Sequence, residues 1–205
     1  MLTIALPKGR IGEDSLGVFE KIFGAPFRFG ERKLILESGD LRFLRVRNND
    51  VPVYVYHQAA DLGIVGLDVL EEQQLDLIRL LDLGFGACRV SIGIRENEEL
   101  DFNRPGLKVA TKMENITRDF FSRRAIPVEI IKLYGSIELA PLVGLADMIV
   151  DIVETGETMR QNGLKPVLDI MHSSAYLVAN KNSFYAKKER ILHLRQKIKE
   201  TLYGA

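Results

Sequence analysis

The strongest constraint on the fold is the regular alternation of short apolar runs with segments of helical period. "LTIAL" has the length of a buried strand, and "EDSLGVFEKIF" after it places Leu16, Phe19 and Phe23 on one face of a helix. The alternation continues through "LRFLRV", "ADLGIVG", "LDVLEEQ", "LIRLLDL", "CRVSIGI", "LKVAT", "NITRDFFSRRA", "VEIIKL", "SIELAPLVGLA" and "DMIVDIV". Strands that alternate with helices favour parallel α/β sheets with helices on both faces.

Two segments share a pattern that predicts two similar α/β lobes. "AADLGIVG" at 59–66 and "LADMIVDIVETG" at 145–156 both open with an Ala-Asp pair, continue as an apolar strand and end near a glycine. In such folds a ligand binds where the carboxyl ends of the strands face a cleft. We therefore expect the functional site in the cleft between the lobes.

The lobe boundaries are predicted from the charged stretch "RENEELDFNRPG", which is the best candidate for the first crossing. Lobe I is expected to span 1–95 and to be completed by 176–205, with lobe II at 96–175. "SFYAKKERILHLRQKIKETLY" is predicted to be one final amphipathic helix, whose apolar stripe is formed by Ile191, Leu194 and Ile198.

Composition excludes several classes of protein. The chain has 205 residues, 46% of them hydrophobic, and equal numbers of basic and acidic residues, 28 of each. No global field therefore favours nucleic acid or a membrane surface, and no apolar run approaches the roughly 20 residues that span a bilayer. The single cysteine, Cys88, cannot form an internal disulfide, and "MLTIALPKGR" does not resemble a signal peptide. We expect a cytoplasmic protein.

The stretch "DIVETGETMRQNG" ends an apolar strand in a turn rich in hydroxyl and carboxylate groups. Backbone amides around Thr155, Gly156 and Glu157, with the hydroxyls of Thr155 and Thr158, are suited to wrapping a monophosphate at the start of a helix near Thr158. The alternative is a plain capped turn, with Thr155 or Thr158 as the helix N-cap. The local pattern leaves both open.

Carboxylates near this turn suggest that the ligand carries more than a phosphate. Asp151, Glu154 and Glu138 are placed to accept hydrogen bonds from ribose hydroxyls or to approach a Mg²⁺ ion. Phosphate alone would not favour them.

Basic residues at strand ends supply a complementary anion site. "LPKGR" puts Lys8 and Arg10 on a turn that enters a helix directly after the first strand. Further basic residues at or near strand ends are Arg32, Arg47, Arg89 and Lys112. His57, His172 and His193 lack metal-ligand spacing, and the nucleophile elbow, the P-loop and the G-x-G-x-x-G motif are absent.

Long motifs in order carry a resemblance to a known family. They are "LPKGR", "RKLIL", "DVPVYVYHQAADLGIVGLDVL", "GACRVSIG", "KVATK", "IKLYGSIELAPLVGLADMIVDIVETGETMRQNGL" and "SSAYLVAN". Together they resemble the ATP phosphoribosyltransferases over roughly residues 2 to 182. The resemblance implies transfer from 5-phosphoribosyl 1-pyrophosphate (PRPP) to ATP, giving N1-(5-phosphoribosyl)-ATP and pyrophosphate, with Mg²⁺ required. This is the first step of histidine biosynthesis. The resemblance also implies two α/β lobes like those of type II periplasmic binding proteins, with the active site in the interlobe cleft.

The resemblance implies a role for each matching residue. The PRPP-binding set is Glu138, Asp151, Glu154, Thr155, Gly156, Glu157 and Thr158, with Glu138 also facing Mg²⁺. The cationic groups near the departing pyrophosphate and the ATP phosphates are Lys8, Arg10 and Arg32. The ATP-binding set is Arg10, Arg47, Gly66, Asp68 and Arg89. Tyr56 departs from the family pattern, since "YVYHQAAD" stands where "YVEHGAAD" is the more familiar form.

The resemblance also implies an assembly. The chain resembles the short form of the family, so we expect a catalytic homodimer within a hetero-oligomer that includes a regulatory subunit resembling histidyl-tRNA synthetase. Two rival functions remain: a small-anion binding protein on the same fold without chemistry, and a regulatory or assembly subunit that has lost activity.

Overall fold

A computed structural model describes residues 1–204, in which strands and helices alternate closely. The strands are β1 (Leu2–Pro7), β2 (Ile35–Ser38), β3 (Leu41–Val46), β4 (Leu62–Gly66), β5 (Ile78–Asp82), β6 (Cys88–Arg95), β7 (Lys108–Thr111), β8 (Glu129–Lys132), β9 (Met148–Val153), β10 (Leu164–Ser173) and β11 (Ala175–Ala179). The helices are α1 (Arg10–Phe23), α2 (Val51–Tyr56), α3 (Leu67–Gln73), α4 (Glu114–Ser122), α5 (Leu139–Leu142), α6 (Glu157–Gln161), α7 (Lys181–Ala186) and α8 (Lys188–Tyr203), with a 3-10 turn at Asn48–Asp50.

The chain forms two compact units. Unit 1 comprises Met1–Gly86 and the chain from Ser174 onward, and unit 2 comprises Ala87–Ser173. The expected boundary near residue 95 lies instead at residue 86, because β6 pairs with β9 on one side and with β10 on the other. Strand β6 therefore belongs to unit 2.

Unit 1 is built on a six-stranded sheet in the order β2-β3-β1-β4-β11-β5. Strand β1 runs parallel to β3 and β4, whereas β2 and β11 are antiparallel to their neighbours, so the sheet is mixed rather than purely parallel. The predicted stripe Ile191, Leu194 and Ile198 is buried against this sheet's main core. On α1, Phe19 is fully buried but Phe23 is 43% exposed.

Unit 2 is built on a five-stranded sheet in the order β10-β6-β9-β7-β8. Strands β8, β7 and β9 are parallel, and β6 is antiparallel to β9. Two apolar clusters belong to this unit, one centred on Val90, Ile92 and Phe121 and the other on Ile149 and Met159.

Two predicted helices differ from the structure. The segment expected as a helix around "SIELAPLVGLA" has only four α-helical residues, Leu139–Leu142. The final predicted helix is two helices, α7 and α8, separated at Lys187, whose φ of −125° interrupts the helical path. At this break the Nζ of Lys187 donates to both carboxylate oxygens of Asp61, at 2.9 and 2.8 Å.

This ion pair connects the junction of α7 and α8 to Asp61, which directly precedes β4 and also contacts β1. Asp61 is nearly buried and also accepts a hydrogen bond from the amide of Thr3 at 2.9 Å. Burial by itself raises the pKa of Asp61, but the hydrogen bonds from Lys187 and Thr3 outweigh it, and the pKa is held below its ordinary value. The ionised carboxylate is therefore the form that stabilises the fold.

We predict that Lys187→Met lowers the free energy of unfolding by about 1–3 kcal/mol at pH 7, because a nearly buried carboxylate loses its donor. A lowered pKa contributes stability that is present above the ordinary pKa and lost as the pH falls through the folded value. The difference between wild type and variant should therefore shrink below about pH 4. Denaturant titrations across pH measure this. Lys181→Met, which removes an exposed pair with Asp76, is the matched control; equal effects of both variants would contradict the assignment.

No helix among residues 1–204 is both long and apolar enough to cross a membrane.

Candidate active site

The first group of predicted residues lies at one edge of the unit 1 sheet. Strands β1, β3 and β4 are parallel and end at Pro7, Val46 and Gly66, so the segments that follow them share the carboxyl edge of the sheet. Lys8 and Arg10 come directly after β1, and both side chains are exposed. The structure thus places two of the predicted cations where α/β folds bind ligands.

The turn that carries Lys8 and Arg10 depends on two glycines. Gly9 has a φ of +92°, a conformation that favours glycine, and precedes the first residue of α1. A Cβ atom on Gly12 would lie 2.0 Å from the carbonyl oxygen of Pro7, so only glycine lets α1 begin so close to the strand. The first amides of this 14-residue helix therefore point toward the same edge, where they favour an anion.

The other predicted residues of unit 1 also gather at this edge. Arg47 is exposed and follows β3 directly. Arg32 is exposed in the turn before β2, and β2 starts beside the end of β3 because the two strands are antiparallel. Gly66 ends β4, and Asp68 lies in the first turn of α3 with only 4% of its surface exposed. Asp68 is therefore less accessible to a ligand than the basic residues of this group.

The second group lies at the corresponding edge of the unit 2 sheet. Strands β7, β8 and β9 are parallel, so the segments after them share one edge. Lys112 follows β7, Glu138 lies in the segment after β8, and the turn Glu154–Thr158 follows β9. The carboxylate and the predicted phosphate turn, which are separated in sequence, are thus brought to the same edge.

The turn after β9 is built differently from the capped turn that the sequence left open. The N-cap of α6 is Gly156, in the left-handed conformation with φ +77°, and no side chain caps the helix. The amide of Glu157 donates to Thr155 Oγ1 at 3.3 Å, and Arg160 Nη2 donates to the carbonyl of Thr155 at 3.1 Å. Because α6 has only five residues, any anion at this turn would be held by amides and hydroxyls rather than by a helix dipole.

The side chains of the turn are accessible. Glu154, Thr155, Glu157 and Thr158 are exposed, whereas Gly156 is buried beneath them. The helix that was expected near Thr158 begins one residue earlier, at Glu157.

The segment that carries Glu138 is held in an unusual conformation. Ser136 has a φ of +49°, which is rare for a residue other than glycine, and its carbonyl accepts a hydrogen bond from the amide of Leu139 at 3.2 Å. Such backbone strain is frequent at functional sites. Glu138 itself is half-buried and directly precedes α5.

Asp151 is engaged by a lysine of its own unit. Its Oδ1 lies 2.9 Å from Lys112 Nζ and accepts a hydrogen bond from the amide of Ile152 at 2.8 Å. The Asp151 side chain is only 13% exposed. Asp151 is thus less accessible than the exposed residues of the neighbouring turn.

Arg89 lies in unit 2, on β6 directly opposite Val153, the last residue before the turn. Its Nε is 3.4 Å from Asp169 Oδ1, and that same oxygen accepts a hydrogen bond from Ser91 Oγ at 2.7 Å. Neither Ser91 nor Asp169 was predicted from the sequence. No local motif could have revealed them, because strand pairing alone brings together residues 78 positions apart.

Within residues 1–204, no group of three or more His, Cys, Asp or Glu side chains is arranged to hold a metal ion.

The architecture defines the class of protein. The periplasmic aliphatic sulphonate binding protein SsuA from Escherichia coli matches with a TM-score of 0.65 at 15% identity, covering 98% of this chain and 72% of that chain. At this identity the likeness shows the fold alone, which is the two-lobed α/β fold of periplasmic binding proteins.

More similar sequences define the family. The profile described as "HisG: ATP phosphoribosyltransferase" matches residues 47–200. ATP phosphoribosyltransferases from a Nitratiruptor species and from Campylobacter concisus are 77% and 65% identical, covering 100% and 98% of this chain and 100% and 99% of theirs. The ATP phosphoribosyl transferase (HisG:HisZ) complex from Thermotoga maritima contains a chain with a TM-score of 0.85 and 32% identity, with full coverage of both chains. The chain belongs to the ATP phosphoribosyltransferase family.

Proposed function

We propose that the chain transfers the 5-phosphoribosyl group of PRPP to N1 of ATP, releasing pyrophosphate, as the first step of histidine biosynthesis. The observation that carries the proposal is the pairing within unit 2 of an exposed hydroxyl-rich turn with the carboxylate of Glu138 at one sheet edge. A phosphorylated sugar presents both the anion and the hydroxyl groups that such a set of side chains recognises.

The unit 2 group is proposed to hold PRPP. The amides of Gly156 and Glu157 and the hydroxyls of Thr155 and Thr158 surround the 5′-phosphate. The carboxylates of Glu138 and Glu154 accept hydrogen bonds from the ribose hydroxyls. Asp151, which the resemblance placed with them, is proposed instead to orient Lys112, whose Nζ lies 2.9 Å from Asp151 Oδ1.

The unit 1 group is proposed to hold the phosphates of ATP and the departing pyrophosphate. Lys8, Arg10 and Arg32 supply positive charge, and the first amides of α1 add to it. Arg47, with Gly66 and Asp68, completes the nucleotide contacts at this edge.

The reaction requires no side-chain nucleophile. N1 of adenine forms a bond to C1 of the ribose as the bond from C1 to the pyrophosphate oxygen breaks, and the leaving group gains negative charge. Arg10, Arg32 and Lys8 stabilise that charge, while the turn Glu154–Thr158 fixes the ribosyl group for attack. Catalysis thus comes from alignment and from electrostatic stabilisation of the leaving group.

We also propose that Mg²⁺ is required. The donor set fits an ion that takes most of its ligands from substrate phosphates and water, because Mg²⁺ commonly binds through one or two carboxylates. Glu138 is the residue that would hold it. When bound, the ion would neutralise part of the negative charge on the pyrophosphate.

Pyrophosphate release tests the proposed function. The chain, alone and with a regulatory partner, is mixed with ATP, PRPP and Mg²⁺, and release is followed with time. Turnover that requires both substrates supports the proposal. Binding of PRPP without turnover under both conditions would favour the anion-binding or non-catalytic alternatives.

We propose that the chain works in a hetero-oligomer of catalytic dimers with a regulatory subunit resembling histidyl-tRNA synthetase. The support is the Thermotoga maritima HisG:HisZ complex, whose matching chain aligns over its full length. Given the substrates and the pathway, the proposed location is the cytoplasm.

This assembly predicts that sensitivity to histidine depends on the partner. Inhibition at a distance requires a second site whose affinity differs between two states. Adding the partner should raise turnover, and histidine should then lower it by about fivefold or more, the range of ordinary allosteric coupling. Turnover of the chain alone should not respond to histidine. Non-competitive inhibition of the chain without the partner would contradict the prediction.

A further inference from the structure

A row of polar side chains crosses three neighbouring strands of unit 2 just below the phosphate turn. Ser91 on β6 lies opposite Asp151 on β9 and opposite Asp169 on β10. Side chains directly opposite each other in a sheet lie on the same face, so the serine stands between two carboxylates. Each carboxylate holds one basic residue, Lys112 at Asp151 and Arg89 at Asp169.

Ser91 distinguishes the two carboxylates. Its side chain is fully buried, and its hydroxyl donates to Asp169 at 2.7 Å. A hydroxyl has one proton to donate, so its hydrogen bond fixes Asp169 and leaves Asp151 to Lys112. The side chain of Asp169, which is 35% exposed, is thereby held in place by a hydrogen bond from a fully buried serine.

The contact between Asp169 and Arg89 leaves most of the guanidinium available. The Nε of Arg89 is buried and lies 3.4 Å from Asp169 Oδ1, within ion-pair distance but without the geometry of a hydrogen bond. Within residues 1–204, Asp169 is the charged partner of Arg89, so the Nη donors are not committed to another carboxylate. Arginine donors in a fixed orientation are suited to a phosphate or pyrophosphate oxygen.

The pairing of the strands places Arg89 next to the phosphate turn. Arg89 is opposite Val153, and the phosphate turn begins at the next residue, Glu154. The pairing of β10 with β6 is irregular between Asp169 and Met171, and such bulges re-aim side chains next to active sites. The guanidinium of Arg89, which Asp169 orients, therefore lies on the strand position beside the turn that is proposed to hold the phosphate.

We propose that Asp169 and Ser91 are positioning residues that act through Arg89, and that Arg89 contacts the anion of PRPP at the turn Glu154–Thr158. This inference rests on the proposed function and reassigns Arg89, which the family resemblance placed with ATP. In the same way, Asp151 on β9 orients Lys112, which follows the neighbouring strand β7.

A double-mutant cycle on the complete complex tests the proposal. Asp169→Asn keeps the shape and removes the charge, and it should raise the KM for PRPP about tenfold, the effect of losing one charged hydrogen bond from a misplaced Arg89 to the phosphate. The KM for ATP and the kcat should stay close to wild type. Ser91→Ala should change the KM for PRPP in the same direction, and Arg89→Ala should change it more.

The cycle distinguishes positioning from a separate role. If Asp169 acts through Arg89, the double variant Arg89→Ala/Asp169→Asn should be no worse than Arg89→Ala alone. Additive effects, or an unchanged KM for PRPP in Asp169→Asn, would overturn the proposal. A rise in the KM for ATP alone would overturn it as well, since Arg89 would then belong to the nucleotide.

The matched control is Glu98→Gln. Glu98 pairs with Arg95 at 3.1 Å, where the two side chains are 38% and 37% exposed, and Arg95 is at the other end of the same strand, β6. This variant should leave both KM values unchanged, and its thermal unfolding midpoint should equal that of Asp169→Asn. Absence of turnover in the wild-type complex would instead reject the proposed function, which separates the two failures.

Discussion

Replacing Arg10 or Arg32 by alanine is expected to lower kcat about 10²–10³-fold, the usual effect of removing one group that stabilises charge in the transition state. Both side chains are exposed at the carboxyl edge of the unit 1 sheet. Negative charge grows on the pyrophosphate only as its bond to C1 breaks, so a cation placed there contributes more to the transition state than to substrate binding. The KM for ATP should change much less than kcat.

Steady-state pyrophosphate release by the complete complex measures both quantities. Arg42→Ala is the matched control, because Arg42 lies on β3 of the same sheet and pairs with Glu37 at 2.7 Å. It should retain wild-type kinetics. If Arg10→Ala and Arg32→Ala both keep kcat within about threefold of wild type, far less than the loss of such a group causes, the stabilising role must belong to another group, with Lys8 the next candidate.

Individual strands and helices were predictable because their apolar periodicity extends over only a few neighbouring residues. The strand "LRFLRV" coincides with β3 and the helix "LDVLEEQ" with α3. The two-lobed organisation followed from the repeated Ala-Asp strand pattern, and the comparisons confirm that fold class. For the strand and the helix the signal lies within about a dozen neighbouring residues, where periodicity is informative.

The boundary between the units was not predictable to the residue, because it depends on long-range pairing. The sequence of β6 is compatible with either lobe, and only its pairing with β9 and β10, both distant along the chain, places it in unit 2. The split of the last helix was also not predicted. Lys187 looks like one more residue of an amphipathic helix, and no local pattern shows that it lies at a junction where it contacts Asp61, 126 positions earlier.

The candidate site shows the same division. The residues of the phosphate turn follow one another in sequence, so the composition of "DIVETGET" was enough to predict a site there. Ser91 and Asp169 carry no local signal, since neither belongs to a recognisable motif and they lie on strands far apart in sequence. Their role depends on which strands are neighbours and on the register of those strands.

Gly156→Val is expected to reduce PRPP affinity about 100-fold, because it disturbs at least two contacts with a charged ligand. Gly156 has a φ of +77°, and a Cβ there would lie 3.2 Å from Arg160 Nη1 and 3.4 Å from Pro166 Cγ. Valine strains this left-handed backbone and crowds the Arg160 side chain, so we expect the turn to shift and to move the amide of Glu157 and the hydroxyl of Thr155 away from the proposed phosphate position. Thr155→Ala removes one hydroxyl and should weaken PRPP binding about tenfold.

The control must share the backbone strain without touching the turn. Gly163 has a φ of +68°, and a Cβ there would meet no atom within 4 Å, so Gly163→Val imposes the same strained conformation beyond α6. Both valine variants should lose about 1–2 kcal/mol of stability from the left-handed backbone, but only Gly156→Val should lose PRPP affinity. Calorimetric titration of PRPP into each variant, with thermal unfolding measured in parallel, separates the two effects. Equal PRPP affinity in Gly156→Val, Thr155→Ala and wild type would place the phosphate elsewhere than at this turn.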